Sequence, residues 1–253
     1  MCWNKEVSLA TYITIIVLVV ILFRRNVGAD RHLAVFSGVF VTIQLLEFFA
    51  WLSIEKKKRN MNDLVTRLIL IFLWAQPLVN TYMAAKGYTD SNEAREKKVK
   101  FFLFLAVIVF LGLFIIGIVT AFQNGAFKTT IGPTCHLQWN RYNSDGKMKG
   151  SFMSNSPFTV LIYLAGLAIP LLFIKPFKKG LLLAMLGLGL LVVSRLASSK
   201  KEFGSWWCWV AGLFVIAALI YKASESSSSR SSSDVDDSQD RSETKQSFEQ
   251  MSS

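Results

Sequence analysis

The sequence predicts an all-α membrane protein, a bundle of about seven transmembrane helices followed by a disordered Ser-rich acidic tail. Two observations carry that prediction. Seven stretches of the 253-residue chain are apolar on every side, and each is close to the ~20 residues a helix needs to cross ~30 Å of hydrocarbon. The cations of the first 222 positions gather between those stretches, as in Arg24-Arg25, Lys56–Arg59, Lys97-Lys98 and Lys178-Lys179, where anionic headgroups receive them. Continuous apolar runs exclude the alternating strands of a barrel, and in lipid only a helix or a closed barrel satisfies its own backbone. The net charge of +11 therefore reads as interface charge and not as a nucleic-acid surface, since no basic domain interleaved with aromatics stands outside the spans.

The spans in order are Val7–Phe23, Leu33–Ile54, Leu64–Ala85, Val99–Phe122, Pro157–Ile174, Gly180–Ala197 and Gly204–Tyr221. The first reads as a retained helix: Met1–Glu6 is not basic, and Arg24 and Arg25 follow the span where a cleavable leader would have its cations in front. That charge order expects the N-terminus outside and the tail in the cytoplasm. The fifth span carries Pro170, an expected kink, and the third carries Pro77. Gly112, Gly117, Gly187 and Gly189 permit close helix approach in spans four and six.

With seven crossings, the N-terminus and the 2–3, 4–5 and 6–7 connections share one face. All the cysteines, Cys2, Cys135 and Cys208, lie there, with Trp3, Trp51, Trp139, Trp206, Trp207 and Trp209. Two readings of the thiols stand side by side: one disulfide on an extracytoplasmic face, with Cys135–Cys208 the favoured pair, or three reduced cysteines acting as small apolar residues. The long connection Gln123–Ser156, punctuated by Gly125, Gly132-Pro133 and Gly150, is expected to form turns that fold over the mouth of the bundle. The tail Ala223–Ser253, rich in Ser and Asp, has too few apolar residues for a core and is expected to be disordered, with protein partners as its use.

Chemistry concentrates in spans two and three. Glu47 stands several residues inside an apolar stretch, where carboxylates are costly and face an interior. Gln44, Glu47 and Trp51 share one helical face. Span three adds Arg67, Gln76 and Asn80, and Trp207 opens span seven. Counted from the 2–3 connection, Glu47 and Arg67 differ in depth by roughly 5 Å, a gap that long side chains can close, and a Glu47–Arg67 ion pair is expected. One reading makes Gln44, Glu47, Trp51, Arg67, Gln76, Asn80 and Trp207 a pocket for a small polar ligand or cation. The other makes the amides and the paired carboxylate hydrogen-bonding glue between helices.

Local patterns resemble an uncharacterised family of multi-pass membrane proteins of large DNA viruses of algae and protists. They are Met1–Thr11, Gln44–Trp51, Gln76-Pro77, Cys135–Trp139 and Ser205–Trp209. The resemblance implies a viral or host membrane and no known activity. No catalytic constellation is visible: two histidines, His32 and His136, supply no zinc site, and no phosphate loop, ion-selectivity filter or triad appears. The expectation is a protein that is not an enzyme, with no cofactor and no metal. It is transporter-, channel- or receptor-like, or alternatively a scaffold or envelope component that recruits partners through its loops and tail.

Overall fold

The computed structural model describes residues 4–123, 125–133, 135–142, 148–151 and 157–197, together with Ser205, Val215, Ile216 and Leu219. Compactness divides the chain into Met1–Val215 and Ile216–Ser253, and in the second part only Ile216 and Leu219, both helical, are described. The predicted seventh span, Cys2, Trp207, Cys208 and the tail therefore lie outside the described residues, apart from those isolated positions.

Five helices are long and apolar enough to cross a membrane: α1 (Lys5–Arg25), α2 (Asp30–Glu55), α3 (Arg59–Gly87), α4 (Glu93–Phe122) and α6 (Phe177–Ala197), the last through Phe177–Ser194. The predicted fifth span is shorter as an α-helix. It runs as α5 (Pro157–Ala168) and then tightens into a 3-10 segment, Ile169–Phe173, at the turn where Pro170 removes a backbone donor. Together they reach about 28 Å, at 1.5 Å and 2.0 Å per residue.

Local chemistry sets the ends. Asn4 caps α1 by accepting from the Val7 N–H at 3.0 Å, and Asn26 closes it in the left-handed conformation at φ 48°. Asn92 caps α4 by accepting from the Arg95 N–H at 3.0 Å, with Glu93 and Glu96 in the first turn to meet the helix dipole.

The helices pack in a row, α1 on α2, α2 on α3 and α3 on α4, with α5 also against α3 and α6 against the 3-10 segment. Burial shows which are central. In α4 the buried positions are Leu103, Phe110, Gly117 and Ala121, one narrow stripe. Phe101, Phe104, Ile108, Ile115, Ile116 and Phe122 are among the large apolar side chains left exposed around it. An apolar surface of that extent belongs against acyl chains and not water. α2 and α3 are the interior, with Phe40, Ile43, Ile69 and Leu73 buried between polar layers.

The expected loop of turns is instead a three-stranded antiparallel sheet, β1 (Ala126–Ile131), β2 (Leu137–Tyr142) and β3 (Met148–Ser151), in that order. Alternation drives it: Phe127 and Thr129 of β1 and Leu137 and Trp139 of β2 are buried, and Gly132-Pro133 supplies the turn. β1 lies along the start of α3, whose side chains close its free edge. The Asn62 carboxamide accepts from the Thr129 N–H at 2.8 Å and donates to the Thr129 carbonyl at 3.1 Å. Asp63 accepts from the Phe127 N–H at 2.7 Å, and the Thr66 and Thr129 hydroxyls meet at 2.7 Å. An open strand edge is thereby satisfied by a helix.

Candidate functional site

Two bonds fix the register of antiparallel α2 and α3. Asn62 donates to the Ser53 hydroxyl at 2.9 Å near the sheet, and His32 Nε2 lies 2.8 Å from Asn80 Oδ1 near the opposite face. Interpolating between them puts Glu47 level with Thr66 and Arg67, and Gln76 level with Phe36. The buried polar side chains therefore form separate layers and not one pocket.

Nearest the sheet is the layer of Ser53, Asn62, Thr66 and Thr129. The Glu47 layer comes next. Glu47 is 0% exposed, Gln44 1% and Ser205 2%. Gln44 Nε2 donates to Glu47 Oε2 at 3.1 Å. The Ser205 hydroxyl faces the same carboxyl but stands outside hydrogen-bond geometry, and Ser205 Oγ, Glu47 Oε1 and Gln44 Oε1 are all without a hydrogen-bond partner. Trp51, one turn along the same face, is also buried with its indole N–H unpaired. Gln44, Glu47 and Trp51 do share an inward face, as their spacing requires.

Arg67 does not join them, which corrects the expected Glu47–Arg67 pair. Its guanidinium holds Asp63 with Nε at 2.6 Å and Nη2 at 3.1 Å, donates to the carbonyls of Ala121 and of Gly125, the latter at 2.8 Å, and lies 4.8 Å from the centre of the Phe127 ring. The two residues are level, and Arg67 lies on the flank of α3 that faces α4 and β1. No Lys or Arg among the described residues forms an ion pair with Glu47.

Gln76 and Asn80 belong to deeper layers. Gln76 Oε1 accepts from the Tyr163 hydroxyl, and its Nε2 is unpaired. Asn80 ties three helices: besides His32 on α2, its Nδ2 donates to the carbonyls of Gly166 at 3.1 Å and Leu167 at 2.9 Å in α5. Pro170 has no N–H for the Gly166 carbonyl four residues earlier, and Asn80 takes its place. Gly166 also brings α5 against α3 and α4, since a Cβ there would come within 2.4 Å of Phe110 and 2.6 Å of Pro77. Asn80 is thus structural glue.

The face opposite the sheet carries a compact ion cluster. Asp90 accepts from the Asn92 N–H at 3.0 Å and the Tyr88 hydroxyl at 2.9 Å, and pairs with Lys175 at 3.3 Å. The Asn92 N–H first, then Tyr88, then Lys175 hold the Asp90 carboxyl down at about 2. Burial first, and its bond to Asp90 next, push the Tyr88 hydroxyl up. Nearby, Arg25 grips the buried Asp30 at 2.7 and 3.0 Å.

On the sheet face, Cys135 at the β1–β2 turn is disulfide-bonded. The chain has three cysteines, so the partner is Cys2 or Cys208, both outside the described residues. No group of three or more His, Cys, Asp or Glu that could hold a metal occurs among the described residues. Neither the protein-family models nor the curated proteins provide a match to this chain.

Proposed function

We propose that this integral membrane protein binds, and passes or senses, a small polar solute or cation at Glu47. The observation that carries the reading is a fully buried carboxylate inside an apolar bundle, with one hydrogen bond and no ion-pair partner among the described residues. Burying a lone carboxylate costs several kcal/mol, on the order of what its removal from water demands, and a polar or cationic occupant would offset that cost. Arg67 is level with it and turned elsewhere. The site is Gln44, Glu47, Trp51 and Ser205; Trp207 lies outside the described residues. Gln76, Asn80 and Arg67 are assigned to packing and sheet attachment.

The same reading sets orientation. A disulfide at Cys135 belongs to an oxidising compartment, so the sheet and the N-terminus face outward and the Asp90 cluster faces the cytoplasm. The motif resemblance implies a viral or host membrane, and the reading puts the tail beyond Ala223 on the cytoplasmic side for protein partners. No catalytic role is proposed.

The test is a melting-temperature screen of the purified chain against small polar solutes and cations, in wild type and Glu47→Gln. At least one solute should stabilise the wild type and leave the variant unmoved. If none does, and deletion of Ala223–Ser253 abolishes capture of a protein partner, the scaffold reading replaces this one.

A further inference from the structure

Resting on that reading, we propose that the occupant of the Glu47 site is a single monovalent alkali cation of the sodium class, admitted from the sheet side. Three features of the site select it.

The first is ligand chemistry. Gln44 Oε1, Glu47 Oε1 and Ser205 Oγ are buried oxygens on adjoining side chains, and none has a hydrogen-bond partner. Gln44 is oriented so that its amide nitrogen meets the carboxylate, which leaves the carbonyl oxygen as the spare group. Carboxylate, carbonyl and hydroxyl oxygens without nitrogen or sulfur form a donor set for a hard cation. The unpaired Trp51 N–H, a donor, suits a water carried with the ion.

The second is charge. One carboxylate balances one positive charge. A divalent ion would be held by several carboxylates, and no cluster of that kind exists among the described residues.

The third is access. From Glu47 toward the sheet, polar groups continue through Thr66, Thr129, Asn62 and Ser53, each bonded to the next. In the other direction Phe40, Ile43, Ile69 and Leu73 are at most 4% exposed. They separate Glu47 from the Gln76 layer by about 15 Å of helix at 1.5 Å per residue. An apolar septum of that thickness blocks a bare ion. Thr66, Thr129, Asn62 and Ser53 are themselves at most 6% exposed, so the site is closed in this conformation. The polar path toward the sheet is the less costly way in for a cation, and passage to the Asp90 face requires the septum to part.

The experiment is equilibrium binding of radioactive sodium to the purified full chain in nanodiscs, with melting curves in NaCl and in choline chloride of equal ionic strength. Wild type should bind one sodium per chain saturably and melt higher in NaCl. Ser205→Ala deletes only an unpaired hydroxyl, so it should fold and bind several-fold more weakly, while Glu47→Gln should weaken binding by at least about tenfold, as loss of a charged partner does. Absence of saturable sodium binding by wild type overturns the proposal, as does binding unchanged in both variants. If sodium fails while another solute still requires Glu47, the cation class falls and the solute site stands. If no solute requires Glu47, both fall.

Discussion

Replacing Asn62 by Ala tests how the sheet is fixed to the membrane bundle. One carboxamide makes three hydrogen bonds, to the Thr129 N–H, the Thr129 carbonyl and the Ser53 hydroxyl, and Thr129 is 0% exposed. Each bond contributes about 1 kcal/mol net, and leaving buried backbone groups unmet adds to that. The loss should be about 3 kcal/mol of local stability, or roughly a hundredfold in the opening equilibrium at 1.4 kcal/mol per tenfold. The assay is amide hydrogen exchange at two neighbouring positions. Thr129 should exchange about a hundredfold faster in Asn62→Ala, as that opening equilibrium dictates. Phe127, whose N–H is held by Asp63, should change much less and serves as an internal reference. Equal rates at Thr129 in wild type and variant would refute the idea that the helix closes this strand edge.

Four further outcomes follow from the same geometry. Asn80→Leu removes bonds to His32, Gly166 and Leu167 and should destabilise the bundle by about 3 kcal/mol, read by denaturant or thermal unfolding in detergent. Gly166→Ala forces a methyl against Phe110 and Pro77 and should cost about 1–3 kcal/mol, whereas Gly112→Ala, with nothing within 4 Å, should be neutral in the same assay. Asp90 is ordinarily near 3.8 and is held at about 2, so its stabilisation is complete above pH 4 and lost as the pH falls through about 2. The melting-temperature difference between wild type and Asp90→Asn should shrink over that window, and a difference constant down to pH 2 would contradict the assignment. Finally, non-reducing peptide mapping should find Cys135 joined to one cysteine, and either Cys2→Ser or Cys208→Ser, but not both, should abolish that cross-link.

How much of this was legible beforehand depends on the kind of signal. All-round apolar stretches announced α1 to α4 and α6, because lipid leaves no polar face to confuse the pattern. Glu47 stood out for the same reason: one acid in an apolar run has few places to point. The sheet was legible and missed. Phe127, Thr129, Leu137 and Trp139 alternate on either side of Gly132-Pro133, a hairpin pattern that loop length alone obscured. Arg67 shows what sequence cannot give, since depth follows from counting residues while direction depends on how α3 is rotated against α4 and β1. A hint existed in Asn62, Asp63, Thr66 and Arg67, a polar stripe on the first turns of α3. His32 was passed over as a flank of the second span. Asn80's role follows from Pro170, whose missing donor exposes the Gly166 carbonyl four residues earlier.

The central claim is that Glu47 is a working site and not a packing residue. Flux in sealed liposomes addresses it most directly, with sodium and a panel of small solutes followed for wild type, Glu47→Gln and Asp63→Asn. The account predicts flux in wild type, its loss in Glu47→Gln and its survival in Asp63→Asn, whose carboxylate serves Arg67 and the sheet. Flux that continues unchanged after Glu47 is neutralised would contradict it.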